Sequence, residues 1–296
     1  MLRIFKITVG TLVAFIIIFV LAAKLKSMGT RESGYDRAKM HYLTIKGSDT
    51  MVHLTSEWAE TFMNDYPEIN VSVTGGGSGT GIAALINGTT DICIASREIK
   101  ENERMQAEQK GITPVEVPVA EDAIVVIVNP DNPVSELTME QMKEIFSGAV
   151  SNWNQIGGPD RPIFVLSRES SSGTYVFFQE RVLSKADYTY RARLMPGTSA
   201  VVQNVSADIW SVGYVGLGYA LEAINHIKII LVKIDEKSPP VIPSEESVKK
   251  AEYPIARLLY FYINGNPQGL VKKFIEFCLS NKGQKIVTET GYVKIN

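Results

Sequence analysis

The stretch Thr74-Gly75-Gly76-Gly77-Ser78-Gly79-Thr80-Gly81 constrains this chain more than any other. The alternating run Val71-Ser72-Val73 before it reads as a strand end, and Ile82-Ala83-Ala84-Leu85-Ile86-Asn87 after it reads as a short helix closed by Gly88. A strand that breaks into glycines and hydroxyls before a helix presents unpaired backbone N–H groups at the positive end of the helix dipole. Such a junction suits an anion, and Ser78 and Thr80 add side-chain donors. Two nucleotide patterns fit poorly. Gly76 and Gly81 have P-loop spacing, but Ile82 and Ala83 stand where lysine and a hydroxyl are needed. Gly79-Thr80-Gly81-Ile82-Ala83-Ala84 meets the dinucleotide pattern nominally, yet the next strand, Asp91 to Ala95, ends in Ser96-Arg97 rather than a ribose-binding acid. A plain glycine-rich turn is the competing reading of the stretch taken alone.

The same junction recurs. Tyr42 to Lys46 reads as a strand and leads through Gly47-Ser48-Asp49-Thr50 into a helix with Met51, Leu54, Trp58 and Phe62 on one face. Ser48 or Asp49 is its expected N-cap. Pro162 to Leu166 reads as a strand, followed by Ser167-Arg168-Glu169-Ser170-Ser171-Ser172-Gly173-Thr174-Tyr175 and a helix. Arg168 suits a two-pronged contact with an oxyanion, with Ser172 and Thr174 closing round it. A surface arginine beside a serine-rich cap explains one such case, but not three, because helix starts at the carboxyl ends of strands can converge. Further strands are expected at Val115–Ala120, Ala123–Val128, Ile227–Ile234 and Ala256–Ile263, and a helix at Pro267–Leu279. The alternation indicates an α/β fold with parallel neighbours.

Composition narrows the function. A net charge of −2 disfavours a non-specific nucleic-acid binder. Cys93 and Cys278, the only two cysteines, read as buried hydrophobes, and His41, His53 and His226 lack metal-ligand spacing. No cofactor or metal is expected. Ile7 to Ala23 is a charge-free apolar run behind Arg3 and Lys6, read as a signal peptide or short membrane anchor, with a polar linker to Met40.

At Gly47-Ser48-Asp49-Thr50, Thr74 to Gly81, Ala95-Ser96-Arg97 and Arg168 to Thr174 the chain resembles the phosphate-binding proteins of phosphate ABC importers, a branch of the type II periplasmic-binding-protein fold. The four motifs occur in the family's order, and the resemblance runs from about His41 to the C-terminus. It implies a two-lobed α/β fold with a ligand cleft between the lobes. Residues 41–119 plus 224–296 are expected to form lobe one and 120–223 lobe two, behind an N-terminal hydrophobic helix in 1–40. It further implies phosphate held by Ser48, Thr50, Ser78 and Ser96 from lobe one, and by Arg168, Ser172, Gly173 and Thr174 from lobe two. The long members of the family carry an aspartate after the Ala-Ser, as acceptor for the phosphate proton; Arg97 stands there instead. That leaves Asp49 and Glu169 as candidates, with Arg97 free to pair with Glu169 across the cleft. The function implied is an exported, membrane-tethered receptor that delivers phosphate to an ABC permease. The alternatives are a receptor for sulfate or molybdate, or a phosphate sensor. Because the motifs hold hydroxyls and arginine without histidine, thiol or a carboxylate cluster, an enzyme acting on phosphate esters is disfavoured.

Overall fold

A computed structural model describes residues 41–295. The apolar run Ile7–Ala23 and the linker to Met40 lie outside the described residues. No described helix is long and apolar enough to cross a membrane.

The chain begins with three strand–helix units: β1 (His41–Gly47) with α1 (Asp49–Asp65), β2 (Ile69–Thr74) with α2 (Ser78–Ile86), and β3 (Ile92–Ala95) with α3 (Glu101–Gln109). Next comes β4 (Pro114–Val128), then β5 (Glu136–Thr138), α4 (Met139–Ser147), β6 (Phe164–Arg168), α5 (Gly173–Arg181), β7 (Arg193–Met195), α6 (Thr198–Ala207), β8 (Ser211–Gly216) and α7 (Leu217–Glu222). The chain ends with β9 (Lys228–Ile229), β10 (Leu231–Lys233), α8 (Glu245–Lys249), β11 (Ala256–Asn264), α9 (Gly269–Leu279) and α10 (Asn281–Glu289).

The main sheet is mixed and runs β2-β1-β3-β11-β4-β8-β6-β7, with β9 also on β4. Its parallel pairs are β1–β2, β1–β3, β6–β8 and β6–β7. Every site-bearing strand, β1, β2, β3 and β6, therefore ends beside a helix start. The expected strands Val115–Ala120 and Ala123–Val128 are one continuous strand of 15 residues. Glu121-Asp122 does not break it, because Asp122 is buried against Arg257 on the partner strand.

Two apolar cores flank the crossing strands β4 and β11. The first packs α1, α9 and α10 on the sheet, with Trp58, Phe62, Phe261 and Phe274 at its centre. Met51, Leu54, Trp58 and Phe62 are all fully buried, each stabilising the packed helix by roughly 1.5–3 kcal/mol. Trp58 Nε1 also donates to Gly283 O at 2.8 Å. This packing fixes where the N-terminus of α1 points. A smaller cluster under α2 and α3 covers the opposite face. The second core is built from apolar residues between Ala123 and Ala220 and also from Ile227, Ile230, Val232, Val248, Tyr253, Ile255 and Val293. Residues 227–255 thus pack in the second half rather than the first, and β10 pairs with β5 there. The polypeptide rejoins the first core along β11, through Leu259, Phe261 and Ile263. The expected strand 227–234 is split into β9 and β10. Cys93 and Cys278 are free, buried thiols in different apolar clusters.

Candidate functional site

The ends of β1, β2, β3 and β6 deliver their following residues to one place between the two cores. Ser48 Oγ donates to Ser96 Oγ at 2.8 Å, and Ser78 Oγ lies 3.3 Å from Ser96 Oγ. Ser96 N donates to Ser78 Oγ at 3.0 Å. Thr50 Oγ1 and Thr174 Oγ1 are 2.7 Å apart. A Cβ on Gly173 would fall 2.3 Å from Ser78 Oγ and 2.6 Å from Ser96 Oγ. The starts of α1, α2 and α5 therefore meet, with Ser48, Thr50, Ser78, Ser96, Ser172 and Thr174 all buried.

Capping differs among these helices. Ser48 holds the N-cap position of α1 without capping it, because its hydroxyl is drawn to Ser96. Gly77 starts α2 with no side-chain cap either. In their first turns Met51 N is turned to Ser48 O and Gly79 N to Ser171 O, while the N–H groups of Asp49, Thr50, Ser78 and Thr80 remain as donors. Ser172 does cap α5, accepting from Thr174 N at 3.2 Å and Tyr175 N at 3.3 Å. Its own proton remains free to be donated. In the glycine stretch Gly79 N donates to Ser171 O at 2.9 Å, a contact between the two halves. Gly77, at φ +93°, passes so close that a Cβ would sit 2.6 Å from Ser171 O.

Arg168 is buried, with its guanidinium clamped in place. It donates from Nη1 to Thr198 Oγ1 (2.9 Å), from Nε to Met195 O (3.3 Å), and from Nη2 to Pro196 O (3.2 Å) and Asp49 Oδ2 (2.6 Å). These bonds engage all of its N–H donors except one on Nη1. Asp49 accepts also from Gly76 N, at 3.1 Å to Oδ1. An ion pair thus bridges the halves, with the Arg168 and Asp49 side chains 3% and 19% exposed.

Arg97 does not pair with Glu169. Its guanidinium forms a fork to Glu103, Nη1 to Oε2 at 2.8 Å and Nη2 to Oε1 at 2.7 Å. Glu103, in the first turn of α3, is six residues away in the chain and occupies both terminal nitrogens of the guanidinium. Burial pushes the Glu103 carboxyl up, but Arg97 and the Lys100 N–H outweigh it and hold the group below the usual range. Glu169 is exposed. Asp49 is then the carboxylate, among the described residues, that lies against the hydroxyl cluster and Arg168.

Four contributors escape a reading of the sequence. Thr198 starts a fourth Gly-hydroxyl-helix unit, so a signal was present. Tyr219 OH donates to Asp49 O at 2.9 Å, and Tyr292 OH donates to Thr50 O, both from distant segments. Arg257 on β11 donates to Ser96 O at 2.8 Å, Asp122 Oδ2 at 3.0 Å and Thr174 Oγ1 at 3.0 Å. Burial pushes the Asp122 carboxyl up against the pull of Arg257.

The family described as the PBP superfamily domain matches residues 29–282. The phosphate-binding protein PstS of Pseudomonas aeruginosa is 34% identical over 270 residues, covering 86% of this chain and 83% of that protein. The protein of the same name from Staphylococcus haemolyticus is 32% identical over 254 residues, covering 84% and 79%. A structure solved with bound phosphate, from Clostridium perfringens and described as that of a phosphate ABC transporter substrate-binding protein, aligns with a TM-score of 0.77. It is 29% identical and covers 86% of this chain and 100% of that one. An ABC-type phosphate transport receptor from Vibrio cholerae aligns with a TM-score of 0.67 at 30% identity, covering 85% and 99%.

Proposed function

The chain belongs to the PBP superfamily and, within it, to the phosphate-binding PstS proteins, and from that premise we propose that it captures inorganic phosphate between two lobes for an ABC permease. Lobe one comprises residues up to about 120 together with those from about 257 on; lobe two is the segment between. The observation that carries the reading is the meeting of three helix starts with buried hydroxyls and the clamped Arg168. Hydroxyls, free N–H groups and a guanidinium are all donors, which is what the unprotonated oxygens of an oxyanion take. From lobe one Ser48, Thr50, Ser78 and Ser96 supply them; from lobe two Arg168, Ser172, Gly173 N–H and Thr174 do. Binding is lobe closure on the anion, with no covalent step.

Selectivity is assigned to Asp49. Phosphate near neutral pH carries a proton and sulfate carries none, although the two are alike in size. Arg168 and Gly76 N–H leave lone pairs on the Asp49 oxygens. An ionised Asp49 can accept the phosphate proton, while it repels a bare sulfate oxygen. Calorimetric titration with phosphate, sulfate and molybdate tests the reading. Phosphate is expected to bind at least about a hundredfold more tightly than sulfate, and Asp49→Asn to narrow that gap. Equal affinities in the parent protein would replace phosphate with a broader oxyanion class. An unchanged gap in Asp49→Asn would remove only the role of Asp49.

The receptor is assigned to the extracytoplasmic side, tethered by Ile7–Ala23. As a helix that run gives about 25 Å at ~1.5 Å per residue, close to a ~30 Å hydrocarbon core, and a tether keeps the receptor beside its permease. On expression, the full-length chain is expected in the membrane fraction at full size; a shortened, freely soluble product would mean cleavage and no tether.

A further inference from the structure

Resting on the phosphate reading, we propose that Arg257 is a positioning residue that fixes the hydroxyl of Thr174 as a donor toward the anion. Arg257 and Asp122 face each other in register on β11 and β4, the two strands that cross between the cores. Their side chains are 3% and 0% exposed. Asp122 Oδ1 also accepts from Leu217 N at 3.3 Å. Phe177 covers the guanidinium, its ring centroid 5.2 Å from Cζ. Arg257 Nε is buried with no hydrogen-bond partner among the described residues. A buried ion pair contributes little net stability relative to well-packed apolar residues, and an unmet donor lowers that further. Stability alone therefore does not account for a charged pair at this crossing.

Its hydrogen bonds do. Nη2 donates to Thr174 Oγ1 at 3.0 Å. A hydroxyl has one hydrogen and two lone pairs, so an arginine on one lone pair leaves the hydrogen to point elsewhere. Its nearest oxygen is Thr50 Oγ1, 2.7 Å away, in a contact where either hydroxyl can donate, so the Thr174 hydrogen is available to an anion bound beside the pair. Nη1 meanwhile takes the carbonyl of Ser96 at 2.8 Å. That oxygen, which would repel an anion, is held away while the Ser96 hydroxyl stays in the cluster. Ser96 belongs to the first half and Thr174 to the second, so one guanidinium on the crossing strand sets the polarity of both. The bond to Thr174 requires the halves to be together, which makes Arg257 a link between closure and binding.

The test is calorimetric titration of the full-length protein, in detergent, with inorganic phosphate. Arg257→Gln is expected to weaken binding by about tenfold or more, as loss of a charge-assisted bond does, and Arg257→Lys to fall between. Thr174→Val weakens binding as well. Because both changes remove one device, the Arg257→Gln/Thr174→Val double variant is expected within about threefold of the weaker single variant. Fully multiplicative losses would overturn the proposal, as would parent-like affinity in a folded Arg257→Gln variant. A purely structural Arg257 would lower the melting temperature and leave the affinity of the folded protein alone. Should Arg257→Gln fail to fold, Asp122→Leu/Arg257→Met removes both charges together, and parent-like affinity there overturns the proposal equally. Failure of the parent protein to bind phosphate would remove the phosphate reading and this proposal with it.

Discussion

Replacing Arg168 by alanine is expected to weaken phosphate binding at least about a hundredfold in a chain that still folds. Two losses combine. The anion loses its guanidinium, and Asp49 loses the partner 2.6 Å from its Oδ2. Truncating one member of a buried charge pair costs about 2–5 kcal/mol, much of it from the charge left behind. A hundredfold is about 2.7 kcal/mol, inside that range. The stranded Asp49 carboxylate would also repel the incoming anion. The Arg168→Ala/Asp49→Asn pair separates the two effects. If the double variant stays as weak as Arg168→Ala, the guanidinium acts on the ligand directly. If it regains most of the affinity, Arg168 serves to neutralise Asp49. The bonds to Thr198, Met195 and Pro196 lie at the β7 edge of the sheet, where only Met195 of the three packs against the second core, so circular dichroism should report a folded variant. Parent-like affinity in that variant would dismiss Arg168 from the site.

The hydroxyl cluster was legible because each member follows the carboxyl end of a strand within a few residues. Position in sequence and position in space then coincide: Ser48 follows β1, Ser78 follows β2, Ser96 follows β3, and Thr174 follows β6. Arg257 and Asp122 were not legible. Arg257 is a lone charge in its strand and Asp122 stands beside Glu121, and the two meet only because segments 135 residues apart pair in one antiparallel register. The same pair explains why Glu121-Asp122 looked like a strand break and was not one. Which core residues 227–255 join was hidden for a related reason. Residues 227–255 carry ordinary apolar spacing, which says that they are buried without saying in which core. Arg97 shows the reverse error. A partner across the cleft was sought in Glu169, when Glu103 in the next helix turn already offered both carboxylate oxygens.

Gly173→Ala is expected to leave the fold intact and to abolish closure. Gly173 is the first residue of α5, and its φ is not in the left-handed region. Alanine is therefore free of backbone strain there, and in a helix it is favoured over glycine by about 0.5–1 kcal/mol. Nothing in α5 itself opposes the change. The obstacle is the other half: the added methyl would lie 2.3 Å from Ser78 Oγ, 2.6 Å from Ser96 Oγ and 3.0 Å from Ser78 Cβ. Ser78 and Ser96 are fully buried and bonded to each other, so neither hydroxyl has open space to enter. Only separating the halves relieves the clash, and separation withdraws Thr174 and Arg168 from Thr50 and Asp49. The anion then keeps its contacts to one half alone. Phosphate affinity should fall by about a hundredfold or more, while the melting temperature without phosphate stays level or rises. Small-angle scattering of residues 41–296 should show the parent contract with phosphate and Gly173→Ala fail to contract. A variant that contracts and binds like the parent would mean that the two hydroxyls swing aside, and that the meeting of α5 with Ser78 and Ser96 is not what closure depends on.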